Sequence, residues 1–256
     1  MTLDSSVIVC AHNEERYIEA CLKSVLAQTS QPALIIVVLD RCTDKTEDLV
    51  RSTVPNGNLV TVRKTTRQWR NSIPENLEMG MAKVQGEALA VVDADMVLPS
   101  DFLERLLPQL KEYSSVSASA KTDPSRGLLN KVVSIWEHTY RLSPFGRQPR
   151  GGARVILSRD LNEIGGFRDV FSWDSDLDSR LRESGHKVRM DPTISVLHRR
   201  KMTLRRSISY QIQTGKARRE LGISLGRTLM HSIFRLRPFV IYGYTKGGSS
   251  EWPEDT

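Results

Sequence analysis

Residues 88–97 read ALAVVDADMV. Five apolar residues without polar alternation run into two carboxylates, Asp93 and Asp95, set two positions apart. A short apolar run of this kind, bounded by a turn, fits a strand buried on both faces. The acids then stand where that strand ends. Residues two apart on a strand point the same way, and a turn just beyond it lets both carboxylates converge. Two readings are open. A lone D-x-D is most often a solvated strand end; alternatively, the pair holds something positive, and a hard divalent cation wants such oxygen ligands.

Working outward, the pattern recurs. Ser6–Cys10 (SVIVC) and Leu34–Leu39 (LIIVVL) are apolar runs of the same type, and Leu59–Arg63 is a weaker one. Between them lie helical periods. Tyr17–Ala27 spaces Ile18, Cys21, Leu22, Val25 and Leu26 for one helix face, with Asn13 as a plausible cap. Asp40–Thr46 (DRCTDKT) turns into a helix through Leu49 and Val50, and Ser72–Val84 is helical up to Gly86. Strands alternating with helices predict a parallel sheet covered by helices. Parallel strands end on one edge, and ligands of such sheets bind there. AHNE (11–14), DRCTD (40–44) and DADM (93–96) are therefore expected to meet. Glu14 and Asp40 are placed to accept hydrogen bonds from a ribose or a base, and His12 to stack on a base or donate to a phosphate. Plainer roles are a first-turn charge on a helix dipole for Glu14 and a turn former for Asp40.

Beyond Pro99 the pattern changes. Asp101–Tyr113, Leu128–Tyr140, Arg159–Ile164 and Trp173–Glu183 read as helices. Val116–Ala120, Gly151–Ser158, Val188–Met190 and Ser195–His198 read as strands. Residues 202–237 read as two amphipathic helices jointed near Gly222 to Gly226.

Composition narrows the class. The chain has 256 residues, 39% hydrophobic and 26% charged, as in a globular protein. No apolar stretch approaches the ~20 residues that span a bilayer, and the first residues lack signal-peptide order. Cys10, Cys21 and Cys42 match no zinc or redox spacing and read as reduced thiols of a cytoplasmic protein. Neither a G-x-x-x-x-G-K-[ST] nor a G-x-G-x-x-G follows a strand, which argues against a P-loop NTPase and a dinucleotide enzyme. The net charge of +7 is uneven. Arg199 to Arg237 hold 11 lysines and arginines against one acid, Glu220, so that this segment alone carries +10. Such asymmetry points to an anionic partner. Leu225, Leu229, Ile233 and Leu236 form an apolar stripe there, with Arg227 and Arg235 among the polar positions. The stripe either packs on the body or lies on an anionic membrane. Nucleic acid ranks below membrane, because no reader motif or stacking pattern accompanies the charge.

Four ordered elements resemble family 2 glycosyltransferases of the inverting, GT-A type. They are CAHNE (10–14), LDRCTD (39–44), DADM (93–96), and GGF (165–167) followed by WDSDL (173–177), Arg180-Leu181 and Gly185. The resemblance covers about Val7 to His198. It implies an α/β fold, a Rossmann-like and mostly parallel sheet flanked by helices, with a C-terminal helical extension. Residues 1–97 would be the nucleotide-sugar half, 98–198 the acceptor half, and 199–256 a basic helical segment. It further implies a nucleotide-sugar donor bound across Ala11, His12, Glu14, Asp40 and Asp93, and Mg²⁺ or Mn²⁺ held by Asp95, with His198 as a further ligand. Asp174 is the implied general base, with Asp176 as the other candidate because Trp173 replaces the first acid of the family's pair. The usual arginine of the family is missing from NLEMG (76–80), and Arg67 or Arg70 are candidate substitutes. The expected acceptor is a glycan or a lipid-linked sugar, and the basic segment 199–237 is expected to meet the inner face of a membrane. Other expectations are a polyprenyl-phosphate acceptor that needs no base, a nucleotidyltransferase, and a non-catalytic binder of anionic ligands.

Overall fold

The computed structural model describes residues 3–139 and 152–247. The described chain forms two compact units, one of residues 3–121, 152–169 and 173–199, the other of 122–139, 170–172 and 200–247.

The first unit is built on a mixed sheet of eight strands: β1 (Ser5–Ala11), β2 (Leu34–Asp40), β3 (Leu59–Lys64), β4 (Ala88–Asp93), β5 (Met96–Val97), β6 (Ser115–Thr122), β7 (Ala153–Leu157) and β8 (Val188–His198). Their spatial order is β3-β2-β1-β4-β7-β6-β8-β5. The first four in that order run parallel. The β4–β7, β6–β7 and β5–β8 pairs are antiparallel. Helices α1 (Ile18–Leu26), α2 (Thr46–Thr53) and α3 (Ser72–Met81) form the crossovers. The unbroken apolar runs are buried on both faces: Val7, Ile8, Val9, Ile36, Val37 and Val38 are wholly enclosed. Each such side chain stabilises the fold by roughly 1.5–3 kcal/mol relative to exposure. α1 turns Ile18, Cys21, Leu22 and Val25 onto this core.

Register decides what reaches the edge. Cys10 lies beside Val38 and Asp93, Ala11 beside Leu39, and Asp40 beside Lys64. The carboxyl ends of all four parallel strands therefore share one rim.

Several expectations are corrected. The helix expected over 101–113 is α4 (Phe102–Leu106) followed by a tighter 3-10 turn, Leu107–Lys111. Pro108 has no N–H to donate to the carbonyl four residues back. The two short strands near the end of the unit are one, β8, which runs straight through Pro192; a strand tolerates proline where no ladder donor is needed. Asn13 does not cap α1, whose N-cap is Tyr17. Tyr140 and Gly151, at the ends of an expected helix and strand, lie outside the described residues. Helices α6 (Ser158–Glu163) and α7 (Trp173–Glu183) complete this unit.

The second unit is helical: α5 (Leu128–Thr139), α8 (Leu204–Glu220), α9 (Leu225–Phe234) and α10 (Phe239–Lys246). Thr203 and Ser224 cap α8 and α9, each accepting an N–H three residues on. Gly222, at φ +66°, makes the joint between them. α10 has no counterpart in the sequence reading. It packs on α8 through two glycines: a Cβ on Gly215 would strike the Val240 carbonyl, and one on Gly243 the Ile212 carbonyl. Asn130 of α5 is fully buried, donating to the Arg200 carbonyl (3.1 Å) and accepting from the Met202 N–H (2.8 Å). Among the described residues, no helix is long and apolar enough to cross a membrane.

Candidate active site

The loops after β1 and β2 are tied to each other by short polar contacts. The Thr43 N–H donates to Asn13 Oδ1 (2.8 Å), the Glu14 N–H to Thr46 Oγ1 (2.7 Å) and the Glu15 N–H to Asp44 Oδ2 (3.1 Å). His12 Nδ1 lies 2.6 Å from the Asp40 carbonyl. A carbonyl only accepts, so the proton sits on Nδ1, and this fixes which ring nitrogen faces outward. Asn13 (φ 53°) and Arg41 (φ 50°) hold left-handed backbone, which costs energy in non-glycine residues and persists where surrounding contacts enforce it. Ala11, His12 and Glu14 are thus positioned by β1 and locked onto the loop after β2.

Asp40 is buried at the rim and surrounded by donors. Arg41 Nε reaches Oδ1 at 2.8 Å, while Asn76 Nδ2 (3.0 Å) and Lys64 Nζ (3.5 Å) reach Oδ2. Burial alone would raise its pKa. Hydrogen bonds from Arg41 and Asn76, with the charges of Lys64 and Arg41, instead hold the carboxyl below the ordinary value of 3.8. Lys64 is shared with Glu75 (2.7 Å) and with Asn76 Oδ1 (2.8 Å). Sequence reasoning missed Lys64, Glu75 and Arg41 as members of this group. The available signal was position: Lys64 closes the third strand on the same rim. Of the arginines considered as substitutes, Arg67 bonds the Trp69 carbonyl and Arg70 bonds Asp169. Arg41 is the guanidinium on Asp40.

Asp93 and Asp95 flank the turn between β4 and β5. The carboxylate of Asp93 lies against the Cα of Gly152, where any Cβ would collide with it, and the Asp93 N–H donates to the Gly152 carbonyl (2.9 Å). Asp95 is only 5% exposed, and its Oδ2 lies 3.0 Å from His198 Nε2. Pairing of Met96 with His198 across β5 and β8 brings these two together from 103 residues apart. Two thiols lie nearby, Cys21 buried with its Sγ donating to the Asp93 carbonyl (3.5 Å), and Cys10 partly buried beside Asp93 in the sheet. Burial pushes Cys21 up, helped by the charges of Asp95, Asp93 and Glu14; burial pushes Cys10 up, helped by Asp93 and Asp40. Both cysteines therefore stay neutral. Asp95 and His198 offer one carboxylate and one imidazole, donors of a kind that Mn²⁺ or Mg²⁺ accepts, while the Asp93 carboxylate is packed against Gly152.

Asp174 comes from a helix rather than a strand end. It stands in the first turn of α7, where Oδ1 accepts the Ser175 N–H (2.9 Å). Its neighbours differ. Asp176 is ion-paired with Arg180 (2.7 Å), and Asp178 with the wholly buried Arg154 (2.8 Å). Burial pushes the Asp178 carboxyl up despite that arginine, and the charge of Asp174 adds to the rise. The GGF element anchors its loop through the Phe167 N–H, which donates to Glu78 Oε2 (2.9 Å). A separate group, Asp160, Glu163 and His186, also brings carboxylate and imidazole atoms together: His186 Nδ1 is 3.7 Å from Asp160 and Nε2 3.3 Å from Glu163. Sequence reasoning did not single it out.

Comparison with known proteins identifies the family and the fold. The family model "Glycosyl transferase family 2" matches residues 6–210. Glycosyltransferase GlyG of Streptococcus pneumoniae is 28% identical over 107 residues, 42% of this chain and 35% of that protein. The beta-monoglucosyldiacylglycerol synthase of Nostoc is 26% identical over 189 residues, 69% of this chain and 40% of that one. The chain thus spans well under two thirds of these relatives. Among solved structures, the mannosyltransferase PcManGT of Pyrobaculum calidifontis, in complex with GDP-Man and Mn²⁺, superposes with a TM-score of 0.67 at 20% identity, covering 96% of this chain and 74% of that one. Glucosyl-3-phosphoglycerate synthase of Mycobacterium tuberculosis, in complex with Mn²⁺, UDP and glucosyl-3-phosphoglycerate, gives 0.57 at 16%, covering 78% and 72%. These likenesses show the GT-A fold, and with the family match extending over most of the sequence, the chain belongs to glycosyl transferase family 2.

Proposed function

We propose that the protein moves a sugar from a nucleoside-diphosphate donor to an acceptor hydroxyl in one inverting displacement. The observation that supports it most is the strand register that brings Ala11, Asp40 and Asp93 to one rim, with His198 seated 3.0 Å from Asp95. Ala11, His12, Glu14 and Asp40 hold the nucleoside, and Asp93 the donor near its diphosphate. Asp95 and His198 hold Mg²⁺ or Mn²⁺. When bound, this cation neutralises charge on the departing diphosphate. Asp174 takes the proton of the attacking hydroxyl as the new bond to the anomeric carbon forms and the bond to the diphosphate oxygen breaks. Asp174 is favoured over Asp176, because Arg180 already engages the Asp176 carboxylate at 2.7 Å.

The acceptor in this reading is a glycan or a lipid-linked sugar. It is met at the cytoplasmic face of a membrane that the basic segment 199–237 contacts. The named activity of the Nostoc relative, making a glucosyl-diacylglycerol, is in keeping with a lipid acceptor.

Titrating UDP-, GDP- and dTDP-sugars with and without Mn²⁺ tests the donor site. One donor should bind tightly only with metal, release a nucleoside diphosphate on turnover, and lose at least about a hundredfold in kcat in Asp95→Ala. Donor binding indifferent to Mn²⁺, or release of pyrophosphate, overturns the reading.

A further inference from the structure

The second unit exposes apolar side chains where a helix packed on a body would bury them. On α9, Leu225, Leu229, Met230, Ile233 and Phe234 are all exposed, Ile233 by 62%, and Leu236 just beyond the helix by 73%. What α9 buries is polar: Thr228 and Ser232. The helix is thus turned with its hydroxyls inward and its hydrocarbon outward, the reverse of an ordinary surface helix. Among the described residues, burial of several large side chains is thus forgone.

Charge surrounds this face on one side. Arg227, His231 and Arg235 follow one another at four-residue intervals and so share a stripe of the helix. Arg218 of α8 reaches across to the same stripe, donating through Nε to Thr228 Oγ1 (3.2 Å) and through Nη2 to the Arg227 carbonyl (3.2 Å). Arg237 adds a fourth guanidinium, stacked over Tyr210 at 5.9 Å. Burial and the charges of Arg218, Arg235 and Arg237 push His231 down to about 3, so this histidine stays neutral beside them. Between 199 and 247 the sequence offers Glu220 as its single acid.

We propose that α9 lies in the plane of an anionic phospholipid surface, its apolar face inserted among the acyl chains and Arg227, Arg235 and Arg237 meeting the headgroup phosphates. An outward hydrocarbon face bordered by cations of one sign is complementary to a bilayer of the opposite sign. It is less suited to a second copy of this chain, whose matching face would carry the same positive charge. The proposal gives a residue-level form to the membrane contact above, and it does not depend on the chemistry of the rim.

Co-sedimentation of the full chain with lipid vesicles, in the absence of any sugar donor, tests it. Binding is expected to phosphatidylcholine vesicles containing phosphatidylglycerol, but not to phosphatidylcholine alone, and to weaken as salt is raised. Ile233→Glu should weaken it about tenfold or more, and Arg227→Gln about fivefold. Both variants should keep wild-type circular dichroism and wild-type donor affinity, which separates loss of docking from loss of fold. The proposal falls if Leu229→Glu/Ile233→Glu sediments like the wild type. It also falls if inorganic phosphate displaces the protein at constant ionic strength, which would mark a soluble-phosphate site. Light scattering that shows a dimer dissociated by Ile233→Glu, with no vesicle binding, would assign the face to a second copy instead. Donor binding that fails while vesicle binding holds would overturn the catalytic reading alone.

Discussion

The strand-end rim and helix α9 dispose of their charge in opposite ways. At the rim, acids and bases are interleaved: Asp40 sits among Arg41, Lys64 and Asn76, and Lys64 also meets Glu75. Behind it, Arg154 is matched by Asp178 and Arg180 by Asp176. Each side chain is held by a partner within the same unit, which fixes position to fractions of an ångström, as chemistry on a small molecule requires. Around α9 the charge has one sign and the neighbouring side chains are exposed hydrocarbon. Such a surface has no need of fixed geometry; it creates a field that attracts an extended partner. The family match covers the rim and ends at residue 210, before α9 begins. The rim lies inside the family match, whereas α9 and α10 lie beyond it.

The largest effect should come from the precise side. Asp174→Asn removes the proposed base with little change in shape, so kcat for a hydroxyl acceptor should fall by about 10²–10⁴. Single-turnover kinetics at saturating donor would measure it. Near-normal turnover would break the comparison differently: the acceptor would then be already ionised, as a polyprenyl phosphate is, and no base would be needed. Asp176→Asn should do less, since its carboxylate serves Arg180.

The next effect concerns the hidden support of that site. Arg154 is fully buried, ion-paired to Asp178 and 5.9 Å from the Trp173 ring at the start of α7. Arg154→Met leaves Asp178 enclosed without its cation. It should cost about 3–5 kcal/mol in urea unfolding, whereas Arg154→Met/Asp178→Leu should recover most of the loss. Equal losses in the two variants would mean that packing, not charge matching, holds this side of the sheet.

How much of this was legible in the sequence follows from the same contrast. β1, β2 and β4 stood out because strands buried on both faces leave no polar alternation, and parallel register then brings Ala11, Asp40 and Asp93 to one edge. Arg154 and Asp178 were invisible because a charge in mid-strand or mid-helix ordinarily faces water, and nothing local says otherwise. Asp160, Glu163 and His186 lie up to 26 positions apart, so only the fold joins them. The apolar stripe of α9 was legible, but not its direction: periodicity marks a face and does not say whether that face is covered. α10 escaped because its apolar residues bear no helical stripe, and its packing depends on glycines rather than on large side chains.

That last point supplies the smallest effect and the sharpest test of how the helical unit stands up while its hydrocarbon points outward. If α9 contributes little burial, the unit must be held elsewhere, and the close crossing of α8 on α10 at Gly215 and Gly243 is the place. Backbone meets backbone there, so an added methyl has no flexible neighbour to displace and must push the helices apart. Gly215→Ala should therefore destabilise α8 and α10 by about 1–3 kcal/mol, even though alanine is the better helix former by about 1 kcal/mol. Amide exchange would read it directly. Protection along α8 and α10 should fall by roughly 5- to 150-fold, the same energy expressed as a ratio, while amides of β1 and β2 keep theirs. Unchanged protection would mean that the helices do not rely on this crossing, and that the outward side chains of α9 must be stabilising the unit after all.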